Sequence, residues 1–248
     1  MKRNEERCKV LGMAGSSAEA RRYEAEIRIL QLLNHAPGFP GYRHDGFTRS
    51  GERFVVYREV AGEPVRRLFE PDETNTYSGY TERLGWFDLT RRLLTRVSFL
   101  HEQKWPIYHG DISAGNVVIS SDGDVGLIDF GISRSRSLPG KLRFSSHRSV
   151  AAPRYMTPEQ ARGRFWGSAS DIYQVGLLAL ELKRREPLGQ GLTVEELLDR
   201  LRTNPGYACQ TAMRQPGLAG RFLPALLEPN PRCRPSARKV LAILDLLA

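Results

Sequence analysis

The stretch His109-Gly110-Asp111-Ile112-Ser113-Ala114-Gly115-Asn116, with Asp129-Phe130-Gly131 further along the chain, decides how this sequence is interpreted. Asp111 supplies a carboxylate that can accept a proton, and Asn116 and Asp129 supply the oxygen ligands that magnesium prefers. Residues 117–119 and 125–128 are predicted to be short strands around a turn, so that a hairpin would present both ligands. Each of the three residues alone is a common turn former, and the prediction therefore depends on their order and spacing.

These two motifs resemble those of the eukaryotic-type protein kinase family. The resemblance implies phosphoryl transfer, with Asp111 as the catalytic base and with Asn116 and Asp129 as ligands of Mg²⁺. ATP and Mg²⁺ are the cofactors that it implies.

Three downstream segments extend the resemblance. Residues 153–163, Pro-Arg-Tyr-Met-Thr-Pro-Glu-Gln-Ala-Arg-Gly, look like the end of an activation segment in the form common in bacterial Ser/Thr kinases. Residues 170–176 look like the start of the central buried helix, which implies that Asp171 bonds to the backbone of the catalytic loop. Residues 231–236 look like the late motif whose arginine, here Arg234, pairs with Glu159. The resemblance runs from about Arg7 to the C-terminus.

Upstream, the resemblance rests on fewer residues. The strand containing Cys8-Lys9-Val10-Leu11 is similar to the one whose lysine contacts the α- and β-phosphates, which makes Lys9 the candidate. Glu26 stands where the family has the helix glutamate that holds this lysine. Residues 58–60 are expected to be the hinge that meets adenine, with Glu59 and Val60 as the contacts and Tyr57 at the inner edge. The alternative is a surface lysine with a solvated glutamate.

The resemblance implies an α+β protein with a two-lobed protein kinase-like fold. Residues 1–60 would form a shortened, β-rich N-lobe, and residues 61–248 a helical C-lobe, together one kinase-like domain. Hydrophobic periodicity predicts a helix over residues 18–34, which a turn ending in Ser17 would cap. It also predicts helices over residues 86–103, 170–184, 194–202 and 236–247. A hairpin is expected around residues 46–52, and residues 61–64 are expected to link the lobes.

The sequence departs from the family pattern at four places. Eight residues precede Lys9, too few for the two strands and glycine-rich loop that cover the phosphates in the family. Three explanations stay open: an N-terminally truncated chain, a partner protein that supplies the lid, or a reduced kinase with an open nucleotide site. Gly110, Ser113 and Ala152 stand where the family has an arginine, a lysine and a threonine.

Composition limits the classes of function and location. The net charge of +9 is spread over many segments without an aromatic-basic or zinc module, so nucleic-acid binding is not expected. No apolar run reaches the roughly 20 residues of a membrane span, and no signal peptide is expected. The three scattered cysteines are typical of reduced thiols, which favours a cytoplasmic protein, although secretion as an effector stays open.

The leading hypothesis from the sequence is an ATP- and Mg²⁺-dependent kinase acting on Ser/Thr hydroxyls of a protein substrate. The cations of the loop at residues 133–152 indicate either an acidic substrate or partner, or a solvated loop; they are Arg134, Arg136, Lys141, Arg143 and Arg148. Two alternatives remain. The missing lid and the replacements at Ser113 and Ala152 favour a non-catalytic kinase-like binding module, and the His-Gly-Asp triplet also occurs in small-molecule kinases.

Overall fold

The computed structural model describes residues 5–69, 85–135, 152–164 and 167–246. Residues 70–84, which precede the first large helix, lie outside these ranges. So do residues 136–151, which include the loop cations Arg136, Lys141, Arg143 and Arg148.

The small lobe consists of three strands and one helix, which are β1 (Glu6–Gly12), α1 (Ser17–Leu32), β2 (Gly41–Phe47) and β3 (Arg53–Arg58). The sheet is antiparallel in the order β1-β3-β2, with Lys9 of β1 opposite Val55 of the central strand. Helix α1 buries its apolar positions, including Ile27, Ile29 and Leu30. Its N-cap is Ser16, which accepts a hydrogen bond from the Glu19 amide at 3.2 Å, so the prediction of a cap at Ser17 was wrong by one residue.

The segment between the lobes is an ordered part of the structure. β4 (Glu63–Pro64) pairs with β6 (Val117–Ile119), which pairs in turn with β7 (Val125–Leu127). A 3₁₀ helix (Val65–Phe69) follows β4, and its Arg66 amide donates to the Ala114 carbonyl at 2.7 Å. Within residues 61–64, which are predicted to link the lobes, β4 thus joins the hairpin that carries the two predicted magnesium ligands.

Gly62 makes the close approach between β4 and β6 possible. Its φ is +140°, and a Cβ there would lie 2.5 Å from the Ile119 carbonyl oxygen. Gly62→Ala is therefore expected to destabilise the protein by about 1–3 kcal/mol, measured as a lower urea midpoint. The matched control is Gly51→Ala, because Gly51 also has a positive φ but a Cβ there would meet nothing within 4 Å. Equal losses in the two variants would contradict the close-approach explanation.

The large lobe is built around two helices, α2 (Trp86–His101) and α4 (Ser168–Arg184). Helix α4 is buried from Ser170 to Glu181, so it runs through the centre of the lobe. The other elements of this lobe are β5 (Ile107–Tyr108), β8 (Arg134–Ser135), α3 (Pro158–Ala161), α5 (Val194–Thr203), α6 (Tyr207–Met213), α7 (Leu218–Leu226) and α8 (Ala237–Asp245), with 3₁₀ turns at Pro153–Tyr155 and Pro231–Cys233.

Three helices, the four-residue α3 and the longer α6 and α7, are absent from the sequence-based prediction. Helix α7 contains Gly220 and Pro224, which lower helix propensity, and it follows a glycine with positive φ. It forms because Phe222, Leu223 and Leu226 are buried against the lobe, so that tertiary packing outweighs local propensity. In the described parts of the chain, no helix is both long and apolar enough to span a membrane.

Candidate active site

The carboxylate of Asp111 is held on both of its oxygens. Oδ1 accepts a hydrogen bond from the Ala152 amide at 2.7 Å, and Oδ2 accepts one from Nδ2 of Asn116 at 2.8 Å. Nδ2 of Asn116 also donates to the Asp111 carbonyl at 2.9 Å. The predicted base therefore has a fixed orientation.

The loop around Asp111 is attached to helix α4 through Asp171. The fully buried carboxylate of Asp171 accepts hydrogen bonds from the His109 amide at 2.9 Å and from the Gly110 amide at 2.7 Å. A third contact joins Oδ2 of Asp171 to Nε2 of His101 at 2.8 Å. The prediction that Asp171 bonds to this backbone is confirmed.

Lys9 joins the small lobe to the hairpin of the large lobe. Its Nζ lies 2.6 Å from Oε1 of Glu26 and 2.9 Å from Oδ1 of Asp129. Burial opposes the ammonium charge, but the two carboxylates outweigh it and raise the pKa of Lys9 above its usual value. Lys9 therefore stays charged at neutral pH, and the alternative of a solvated surface lysine is wrong.

The two carboxylates around Lys9 lie in different environments. The side chain of Glu26 is 4% exposed, and this burial raises its pKa although Lys9 acts in the opposite direction. The side chain of Asp129 is 49% exposed; burial raises its pKa, but the opposing contributions, led by Lys9 and including the Gly131 amide, lower the pKa below its usual value. Asp129 is therefore the carboxylate that is both ionised and accessible to a ligand.

The local backbone turns Asp129 towards the site. Its φ is +62°, a conformation that aspartate tolerates better than most residues. Oδ1 accepts the amide proton of Gly131 at 3.1 Å, which stabilises this turn. Among the described residues, Oδ2 of Asp129 and Oδ1 of Asn116 have no hydrogen-bond partner. Two hard oxygen atoms thus remain for a cation, and this donor set fits Mg²⁺.

His109 has a role that the sequence analysis did not assign. The ring is fully buried and contacts Phe130, with the ring centroids 4.8 Å apart. Nε2 lies 3.1 Å from the Ile128 carbonyl, which can only accept, and Nδ1 lies 3.3 Å from the Asp111 amide, which can only donate. Both bonds require a ring with its proton on Nε2. His109 therefore links the strand before Asp129 to the loop that holds Asp111.

Glu59 and Val60, the predicted hinge contacts, present different groups. The Glu59 amide donates to the Glu5 carbonyl at 2.9 Å, and its carboxylate pairs with Nε of Arg7 at 2.7 Å. The amide of Val60 has no hydrogen-bond partner in the described residues. Val60 therefore has a free backbone donor for a ligand, whereas Glu59 has only its carbonyl. The role of both residues in adenine binding remains a prediction.

Glu159 and Arg234 form a buried ion pair below the site. Nη1 and Nη2 of Arg234 contact the two carboxylate oxygens of Glu159 at 2.7 and 2.9 Å. The pair attaches helix α3, and the chain segment that precedes it, to the C-terminal part of the lobe. The predicted pairing of these two residues is confirmed.

The family model described as "Protein kinase domain" matches residues 8–243. The chain belongs to the protein kinase family. The two-lobed α+β fold and the Lys9–Glu26–Asp129 contact agree with this membership.

Several serine/threonine kinases are similar to this chain. Serine/threonine-protein kinase 10-A of Xenopus laevis is 30% identical over 88% of the chain and 22% of its own length. The probable serine/threonine-protein kinase mkcF of Dictyostelium discoideum is 43% identical over 38% of the chain and 13% of its own length. Serine/threonine-protein kinase PkaA of Streptomyces coelicolor is 34% identical over 57% of the chain. The chain matches 26% of the length of that relative, so it spans between 13% and 26% of the lengths of these three relatives.

Ala152 and Ser113, which both depart from the kinase pattern, lie in the loop region around Asp111. Ala152 has no hydroxyl to offer Asp111, but its backbone amide makes the contact at 2.7 Å. Ser113 is 4% exposed and brings no charge to the loop. Among the residues that the structure describes, Lys9 is the cation that contacts Asp129.

Lys9→Met is expected to lower phosphoryl transfer by roughly 10²-fold, because it removes the preorganised charge next to Asp129. Thermal stability should also fall, since Glu26 would stay buried without its partner. Both effects are measurable by labelled-ATP transfer and thermal unfolding. Lys239→Met, at an exposed lysine of α8, is the control and should change neither. Activity unchanged in Lys9→Met would contradict the assignment.

Proposed function

We propose that the protein is an ATP- and Mg²⁺-dependent protein kinase that phosphorylates Ser or Thr hydroxyls of a protein substrate. The observation that carries this proposal is the contact of Lys9 with both Glu26 and Asp129, because a cation from the small lobe then lies beside the carboxylate that we propose as a metal ligand. The orientation of Asp111 by Asn116 and Ala152 supports it further.

Each residue has a defined task in the proposed reaction. Asn116 and Asp129 would hold Mg²⁺ through their free oxygens, and Lys9 and the Val60 amide would bind the nucleotide. Bound Mg²⁺ and ATP supply charge neutralisation and the phosphoryl group. Asp111 orients the acceptor hydroxyl and takes its proton at a carboxylate oxygen. Glu26 keeps Lys9 in place.

The test combines transfer and binding. Labelled ATP with Mg²⁺ is incubated with a generic basic protein, a set of acidic proteins, and aminoglycoside and choline acceptors. Transfer to Ser or Thr of a protein supports the proposal, and transfer to the small molecules alone would replace it with a small-molecule kinase. Thermal stabilisation by Mg²⁺-ATP without any transfer would support the non-catalytic binding module instead. The observation on the side of this alternative is Ser113, which brings no charge to the loop.

An acidic substrate is the preferred class within this proposal. Arg66 is exposed, and Nη1 of its guanidinium lies 3.9 Å from the place where a Cβ on Gly115 would be. In the described parts of the chain, the guanidinium has no hydrogen-bond or ion-pair partner. A cation without a partner in the described residues therefore lies beside the loop between Asp111 and Asn116. The net charge of +9 also favours the binding of an acidic substrate.

Arg66→Glu is expected to reduce phosphorylation of peptides with acidic residues next to the acceptor, relative to basic peptides, by about two- to fivefold. An exposed ion pair of this kind has a modest free energy. Peptide-array kinetics measure the ratio, and Arg92→Glu, on the exposed face of α2, is the control. An unchanged ranking of peptides would refute the role of Arg66 in substrate choice.

A further inference from the structure

Gly110 lies next to Asp111 and has no side chain to restrict its backbone. Its φ is +78°, which glycine adopts at little cost. The same freedom would let the adjacent Asp111 move. In the structure, however, both polar groups of the Gly110 backbone are bound by side chains from elsewhere in the large lobe: the amide by Asp171, and the carbonyl by Gln160 and Gln174.

Gln174 contacts the backbone on both sides of the base. Its Oε1 accepts the Ile112 amide proton at 3.0 Å, and its Nε2 donates to the Gly110 carbonyl at 3.0 Å. Nε2 also lies 3.3 Å from the Tyr155 carbonyl. If the carboxamide were rotated by 180°, its oxygen would face the carbonyl oxygens of Gly110 and Tyr155, which cannot donate a hydrogen bond. The surrounding groups therefore determine which terminal atom is the nitrogen.

The carboxamide of Gln174 is fully buried, and it lies on the same face of α4 as Asp171, one turn away. Because water cannot replace its hydrogen bonds, their removal leaves the Ile112 amide without a partner. Gln160 adds a second donor to the Gly110 carbonyl at 3.1 Å, and its Oε1 accepts the Thr157 amide proton at 2.9 Å. The two glutamines thus join residues 155–160 to the loop of the base.

We propose that Gln174 is a positioning residue for Asp111, which fixes the peptide groups before and after the base and links them, with Gln160, to residues 155–160. This inference rests on the proposed kinase function. The glycine at position 110 makes this role necessary, because its backbone has no Cβ to restrict it. The two glutamines restrict it instead, by binding the Gly110 carbonyl and the Ile112 amide.

The test compares Gln174→Met, which keeps the volume but loses the hydrogen bonds, with Tyr173→Phe as a matched control. Tyr173 is the adjacent, equally buried residue, and its hydroxyl has no partner among the described residues. Gln174→Met is expected to lower kcat by about 10²-fold, because small misplacements of a catalytic group have effects of this size, with the KM for ATP changed less than twofold. Amide hydrogen exchange should show lost protection at Ile112 in this variant. Tyr173→Phe should alter none of these quantities.

The outcomes separate the two proposals. A wild-type protein that binds Mg²⁺-ATP but transfers no phosphate would overturn the proposed function and, with it, any positioning for catalysis. An active wild type whose Gln174→Met variant keeps kcat within twofold would overturn the positioning role alone. Equal losses of kcat and of ATP affinity, or exchange that increases throughout α4 as well as at Ile112, would show general unfolding of the lobe and would also overturn it.

Discussion

Asp129→Asn is expected to abolish phosphoryl transfer and the stabilisation of the protein by Mg²⁺-ATP. The asparagine can keep the bond to the Gly131 amide, so the local turn should survive. It loses the negative charge that faces Lys9 and the free oxygen that is proposed to bind the metal. Labelled-ATP transfer and thermal shift with and without Mg²⁺ measure the two effects.

Asp111→Asn provides the comparison that separates the roles. It should lower transfer by about 10²- to 10⁴-fold, the range of general-base contributions, yet keep the thermal shift with Mg²⁺-ATP. Asp199→Asn, at an exposed position of α5, should behave like the wild type in both assays. Full Mg²⁺-dependent activity in Asp129→Asn would disprove the metal assignment.

Arg234→Met is expected to destabilise the protein by about 3–5 kcal/mol, the largest effect on stability among these variants. The side chain of Arg234 is fully buried, and its five N–H groups reach five acceptors: both oxygens of Glu159 and the carbonyls of Ala169, Glu228 and Pro229. Its guanidinium also lies 4.6 Å from the ring centroid of Tyr173. Methionine would leave Glu159 as a buried, uncompensated charge.

Urea unfolding measures the loss, with Arg232→Met as control because Arg232 is exposed and lies two residues earlier. The double variant Glu159→Gln/Arg234→Met should recover part of the stability, since it removes the unpaired charge. Burial raises the pKa of Glu159, but Arg234 and the Ser170 hydroxyl together outweigh burial and lower the pKa below its usual 4.5. The contribution of the pair is therefore complete above that pH and is lost as the pH falls through the lowered pKa. Equal midpoints for the two single variants would contradict this account.

Local patterns predicted much of the fold. Helices α1, α2, α4, α5 and α8 appear within a few residues of their predicted bounds, because apolar side chains recur with helical spacing. The cap of α1 was misplaced because Ser16 and Ser17 are both suitable cap residues, and the choice depends on the backbone. Helices α6 and α7 were missed because their burial, which local composition does not reveal, stabilises them.

Within the candidate site, the sequence correctly predicted the hairpin that Asn116 and Asp129 flank, since its two strands are close in the chain. It did not anticipate the contact of Ala152 with Asp111. Every residue except proline has a backbone amide, so the identity of a residue does not reveal whether its amide makes such a contact. The buried ring of His109 and the carboxamide of Gln174 were missed as partners of the loop for a related reason. Histidine and glutamine have many roles, and only their neighbours in the fold select one.

The sequence by itself determined the order and spacing of the proposed base and the proposed oxygen ligands, and the membership of the family that this order indicates. Only the tertiary structure decided that Lys9 meets Asp129, 120 residues away, and that Gln174 binds the backbone on both sides of Asp111. The physical reason is that spacing along the chain fixes neighbours within a turn or a hairpin. Contacts between distant residues depend on how the sheet and the central helix pack.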